Sequence, residues 1–140
     1  MKVLLDTNII LDFLLSREPQ KESAQKIFEL ATQSRITATL TANSITDIYY
    51  IVAKRLGDAP ARAAIRDLLN ILPIISVGGD DCARALDFPL PDFEDALIAV
   101  CADKGTIDYI ITNDQKFLMM TAITAKVISS DRFLTSLGLG

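Results

Sequence analysis

Histidine is absent from all 140 residues. Its absence removes the commonest general base and every Ser-His or Cys-His nucleophile arrangement, so any catalysis must run on carboxylates, lysines or a metal. Cysteine is scarce too. Cys82 and Cys101 are the two in the chain, they form no close pair, and without histidine they supply no ligand set for zinc. Both read as reduced thiols. No apolar run approaches the roughly 18 residues of a membrane span. The N-terminus superficially resembles a signal peptide, but Asp6, Asn8 and Asp12 interrupt its apolar core. The expected location is therefore the cytoplasm, with no membrane partner. An excess of positive charge is missing as well: 14 Lys and Arg face 18 acids, for a net charge of −4. That balance argues mildly against a broad nucleic-acid footprint. Committing four acids to a metal would leave 14, level with the 14 Lys and Arg, so the count permits an RNA substrate without predicting one.

What is present is an ordinary globular composition, 50% hydrophobic and 23% charged. The length suits one domain over residues 1–140, large enough to bury about two thirds of its unfolded surface. No repeat, low-complexity segment or linker interrupts it. The organising stretch is Lys2-Val3-Leu4-Leu5-Asp6-Thr7-Asn8, an apolar run that stops at a carboxylate. Such a run suits a strand covered on both faces, as in a parallel sheet, and ligands of such sheets bind beyond the carboxyl ends of the strands. Asp6 is equally well placed to cap the helix that follows.

Strand and helix then alternate. Ile9 to Leu15 reads as a short helix, and Glu18-Pro19 opens a longer one through Thr32 with Ala24, Ile27, Phe28 and Ala31 on one face. Arg35 to Leu40 is a second strand. The next helix, capped by Thr41 or Asn43, carries the stripe Ile45, Ile48, Tyr49, Val52 and Leu56 and ends at Gly57. Ala59-Pro60 starts another helix to about Leu72, Pro73 to Val77 is a short strand, and Asp80 to Leu86 a short helix. Asp92 caps a helix from Phe93 to about Lys104 that is apolar nearly all round and so should be central. Ile107 to Thr112 and Lys126 to Ile128 are the last strands, with Ser129 or Ser130 capping a terminal helix. The order implies an α/β fold with mostly parallel strands and right-handed crossovers.

Four acids stand at informative places: Asp6 and Asp114 directly after strands, Asp47 within the third helix, and Asp95 in the first turn of the buried helix. The positive end of a helix macrodipole favours a charge at Asp95, where a capping acid would also sit, and Asp92 and Glu94 are alternative working acids beside it. Asp47 shares a helix face with Asn43, Tyr50 and Lys54, which fits a solvated surface or one wall of a cleft. Carboxylates within about 4 Å of one another repel by roughly 4 kcal/mol per pair at an effective dielectric of 20, so some protonate or a cation binds. Oxygen-only ligands select Mg²⁺ or Mn²⁺, which activates water and steadies the charge on a phosphodiester.

Val3-Leu4-Leu5-Asp6-Thr7-Asn8-Ile9-Ile10-Leu11-Asp12, Ser44-Ile45-Thr46-Asp47, Asp92-Phe93-Glu94-Asp95-Ala96-Leu97-Ile98-Ala99 and Tyr109-Ile110-Ile111-Thr112-Asn113-Asp114 together resemble the successive motifs of the PIN-domain nucleases. The resemblance runs in order along essentially the whole chain. It implies a PIN-like α/β fold, a central mostly parallel sheet of four to five strands flanked by helices. It also implies metal-dependent endoribonuclease activity at catalytic, metal-holding acids matching Asp6, Asp47, Asp95 and Asp114, with one or two Mg²⁺ or Mn²⁺ ions. Many such small prokaryotic proteins are toxins of VapBC-type pairs, neutralised by a small antitoxin and commonly homodimeric. Asp47 departs from the family pattern, which is typically glutamate there, and its shorter arm would reach a metal through a water or not at all. By the same resemblance Asn8 and Thr112 would organise the acids. Lys54, two turns beyond Asp47, and Lys116, just after Asp114, are the candidate contacts to the RNA backbone.

Two rival readings stand beside this one. An aspartate-nucleophile phosphatase wants a second Asp two residues after the first, where this chain has Asn8, and a phospho-accepting receiver wants paired acids after its first strand. A PIN-like fold kept as a binding or dimerisation module, with a degraded cleft, draws its support from Asp47 alone.

Overall fold

The apolar run at the N-terminus forms the middle strand of a five-stranded sheet. In the computed structural model, which describes residues 1–120 and 124–139, β1 (Lys2–Leu5) lies between β2 (Thr37–Thr41) and β4 (Tyr109–Ile111). Beyond them lie β3 (Ile74–Ile75) and β5 (Lys126–Ile128), giving the order β3-β2-β1-β4-β5 with every pairing parallel. The chain builds outward from β1 in one direction to β3, then returns to β1's other side for β4 and β5. The reversal between β1 and β4 opens a crevice at their carboxyl ends.

Helices cover both faces. α1 (Thr7–Leu14), α2 (Lys21–Thr32), α3 (Ala42–Leu56), α4 (Asp58–Ile71) and α8 (Ser130–Ser136) contribute to one core with Val3 and Leu5. α5 (Gly79–Asp87), α6 (Phe93–Lys104) and α7 (Gln115–Leu118) pack with Leu4 and Ile110 into the other. Alternate side chains of one strand thus feed two cores, as a period of two requires, and Val3, Leu4 and Leu5 are all at 0% exposure. α6 is buried from Ala96 through Ala102, in keeping with its lack of a polar face. Among the described residues no helix is long and apolar enough to cross a membrane.

Several boundaries differ from those the sequence suggests. α1 starts at Thr7 rather than Ile9, because Asp6 caps it directly. α2 begins at Lys21, not at Pro19; the Arg17 N–H is tied to the Asp12 carbonyl and its guanidinium to the Asp12 carboxylate at 2.9 Å, holding the intervening chain in a turn. β2 runs Thr37–Thr41 rather than Arg35 to Leu40, since Arg35 still bonds back to Leu30 at the end of α2. The strands expected over Pro73 to Val77 and Ile107 to Thr112 shrink to Ile74–Ile75 and Tyr109–Ile111. Leu56, expected on the buried stripe of α3, is 55% exposed because it lies in the final turn, past the sheet. The four-residue α7 has too short a pattern to read in advance.

Leu4→Ala, which empties a fully buried site packed against α6 and Ile110, should cost about 2–5 kcal/mol in urea unfolding, whereas Leu86→Ala at an exposed position of α5 should stay within about 0.5 kcal/mol.

Candidate active site

Where β1 and β4 leave the sheet, their pairing continues for one more step. Leu5 stands opposite Ile111, and the Asp6 N–H donates to the Ile111 carbonyl at 3.0 Å. Asp6 then caps α1: its Oδ1 accepts from the Thr7 N–H at 2.9 Å. Its Oδ2 accepts from the Thr112 hydroxyl at 2.7 Å, and Thr112 Oγ1 accepts in turn from the Asp114 N–H at 3.1 Å. One hydroxyl therefore sets Asp6 against Asp114 across the crevice. Behind them, the Thr7 hydroxyl donates to Ser44 Oγ at 3.0 Å, and Thr41 Oγ1 lies 3.0 Å from the same oxygen. This buried chain of hydroxyls fastens the start of α1 to the first turn of α3, the helix that carries Asp47.

The remaining acids arrive on helices. Asp92 caps α6, its Oδ1 accepting from the Asp95 N–H at 3.0 Å, which places Asp95 in the first turn, half-buried. Asp6, Asp47, Asp92, Glu94, Asp95 and Asp114 all line one open cavity of about 430 Å³, together with Asn8 and Tyr50. All four acids expected from the sequence are thus brought together, joined by Asp92 and Glu94. A larger cavity of about 710 Å³ beside β5 shares no residue with this one and has no carboxylate in its lining, so size does not select the site.

Among the described residues no Lys or Arg lines the acidic cavity, and its charges act on one another. Burial, followed by the negative charges of Asp92, Asp6 and Asp114, pushes Asp95 up to about 7. Desolvation raises Glu94 to about 7 as well, although it stands at the solvent-exposed lip, aided by a hydrogen bond to Asp47 and by the negative charge there. Asp6 is raised by its burial against the lowering effect of the Thr112 and Thr7 hydrogen bonds. Uncompensated charge of this kind is answered by a proton or a cation, and an all-oxygen donor set suits a hard divalent ion. Among the described residues no three acids are closed around one point. The donor set and its unbalanced charge still fit a hard divalent ion.

The other candidates from the sequence are placed differently. Asn8 lines the cavity on the exposed side of α1, and its carbonyl accepts from Arg17 at 3.3 Å. Lys54 and Lys116 are exposed and line no part of the cavity. Lys116 enters the site through its backbone, whose N–H donates to Asp114 Oδ1 at 2.9 Å. Glu94 is the residue that sequence reasoning left as an alternative to Asp95. Its length in the first turn beside Asp95 was the available signal, and the approach of Asp47 from another helix was not readable.

The family model described as the PIN domain matches residues 2–116. The chain belongs to the PIN-domain family. Among known PIN-domain relatives, it is 27% identical over 121 residues to Ribonuclease VapC1 of Aquifex aeolicus (strain VF5), covering 83% of each chain. Solved structures share the fold. VapBC2 from Rickettsia felis, bound to a DNA fragment from its promoter, superposes with a TM-score of 0.70 at 19% identity, covering 92% of this chain and 98% of the other. VapC20 from Mycobacterium tuberculosis, described as a Sarcin-Ricin loop cleaving toxin, does so with a TM-score of 0.68 at 15% identity, over 82% and 92%.

The raised acids of this PIN-domain site have a consequence for stability. A carboxyl whose pKa is higher folded than unfolded stabilises the fold while protonated and loses that contribution as pH rises through the folded value. For Asp95 and Glu94 the window runs from their ordinary values of 3.8 and 4.5 up to about 7. In the metal-free protein the melting temperature should fall across that window, and Asp95→Asn should flatten the fall, as followed by circular dichroism. An unchanged pH profile in the variant would contradict the placement of Asp95.

Proposed function

We propose that this PIN-domain chain is a metal-dependent endoribonuclease that hydrolyses RNA phosphodiester bonds in the acidic cavity, and that it is the toxin of a VapBC-type pair. The observation that carries the reading is the delivery of acids from two strand ends and two helices into one cavity lined by no basic residue. The name of the Aquifex aeolicus relative supports a ribonuclease. The VapBC2 neighbour supports a small antitoxin as partner. A single domain, a cytoplasmic location and a homodimer belong to the same reading.

In it, Asp6, Asp95 and Asp114 would hold Mg²⁺ or Mn²⁺, with the shorter-armed Asp47 beside them. The bound ion supplies an activated water and neutralises charge on the phosphodiester. The protein's own part is positional. Asp6 is held at both oxygens, by the Thr7 N–H and the Thr112 hydroxyl, so it presents its remaining lone pairs in one direction. Thr112 also fixes the backbone that bears Asp114. Glu94, one methylene longer than Asp47 and in hydrogen-bonding reach of it, supplies the length that Asp47 lacks. Asn8 borders the same cavity from α1, where it can orient a phosphate oxygen.

Asp6→Asn should abolish cleavage of RNA while leaving the circular dichroism spectrum unchanged, and wild-type protein should bind Mn²⁺ in calorimetry. Cleavage that survives the substitution would remove Asp6 from the site. Thr112→Val, which deletes the hydroxyl between the two acids, should lower Mn²⁺ affinity or activity by about 10- to 100-fold.

A further inference from the structure

Tyr50 belongs to two hollows at once. It lines the acidic cavity with Asp47 and Ile51, and it also lines a groove of about 460 Å³ between α3 and α4, so the two meet at its ring. The charge changes sign there. The cavity lining has six acids and no Lys or Arg, whereas the groove lining has Arg62 and Arg66 and no acid. A polyanion is repelled by the cavity rim and needs a basic foothold beside it.

The groove is also rigid where it matters. The Tyr49 hydroxyl donates to Asp58 Oδ1, and Arg62 Nε lies 3.0 Å from both Asp58 oxygens with its guanidinium 5.6 Å from the Tyr49 ring centroid. Tyr49 in turn meets Tyr50 edge-on, with centroids 5.1 Å apart and planes at 79°. Tyr50 is thereby oriented yet 66% exposed, an aromatic ring held in place beside the cavity. Arg66 is exposed and has no carboxylate partner among the described residues.

We propose that the α3–α4 groove holds the single-stranded flank of the RNA as it enters the acidic cavity, with Tyr50 stacking on a base and Arg66 meeting a phosphate. The assignment rests on the nuclease reading for its substrate, and it moves the backbone contacts from Lys54 and Lys116 to α4. Every base has a π-face, so stacking at Tyr50 is tolerant of sequence.

The test is fluorescence anisotropy with a labelled oligoribonucleotide of about 12 nucleotides, within the span of single-strand sites, in EDTA so that binding is read without hydrolysis. Tyr50→Ala and Arg66→Ala should each weaken binding about tenfold, while Tyr50→Phe, which keeps the ring, binds as wild type. Arg66→Ala should also reduce the slope of log K against log salt by about 0.7. Mn²⁺ binding by Tyr50→Ala should be unchanged in calorimetry, because the acids are intact. If both alanine variants bind RNA as tightly as wild type, the proposal is overturned and the groove is left to a protein partner. If wild type cleaves RNA and the variants bind it normally, the groove assignment fails alone. If wild type cleaves nothing yet binds RNA through Tyr50 and Arg66, the groove stands and the nuclease reading falls.

Discussion

Because β1 pairs in parallel with β2 on one side and β4 on the other, its carboxyl end sits where the direction of sheet building reverses. Leu5 and Ile111 are partners, so the next residues, Asp6 and Thr112, leave the sheet side by side. The remaining geometry of the cavity follows from that register. A slip of β4 by one residue would turn Thr112 away from Asp6 and bring a core side chain to the crevice, as the two-residue period demands. The burial of Ile110 in one core and of Ile111 in the other makes such a slip costly, so packing energy holds the cavity's acids in place.

The same packing sustains a charge arrangement that works against stability. Six carboxylates line one cavity, and burial with the neighbouring negative charges raises Asp6, Glu94 and Asp95. Natural folds accept such local conflict at functional sites and offset it elsewhere. Here the offset is visible in α6, whose seven consecutive buried residues, Ala96 through Ala102, begin directly after Asp95. Each large apolar side chain in that run contributes about 1.5–3 kcal/mol on full burial. The helix that carries the most perturbed acid is also the one most deeply set in the protein.

What the sequence discloses is what short-range chemistry decides. The apolar run ending at Asp6, the Asp92 cap with the continuous apolar stretch behind it, and the Lys126–Ile128 strand with Ser129 capping α8 are each written in a few adjacent residues, and each stands in the structure. Contacts between distant elements are not written that way. The approach of Asp47 to Glu94 depends on how α3 and α6 are set on opposite faces of the sheet, which no local pattern encodes. Lys54 looked apt because it follows Asp47 on one helix face, but two turns carry it about 10 Å along the axis, beyond the cavity lining. The basic residues that do border the site's neighbouring groove lie on α4, in a stretch with no motif to mark them.

The Thr112 hydroxyl bond to Asp6 spans 106 positions of sequence. A ribosome working from the N-terminus releases β1, its carboxylate and the whole α1 to α5 half of the protein long before the residues that complete the crevice exist. Closing so long a loop is also among the slower events of folding. The unfinished polypeptide therefore carries Asp6 and Asp47 without their counterparts until Thr112 and Asp114 have been made.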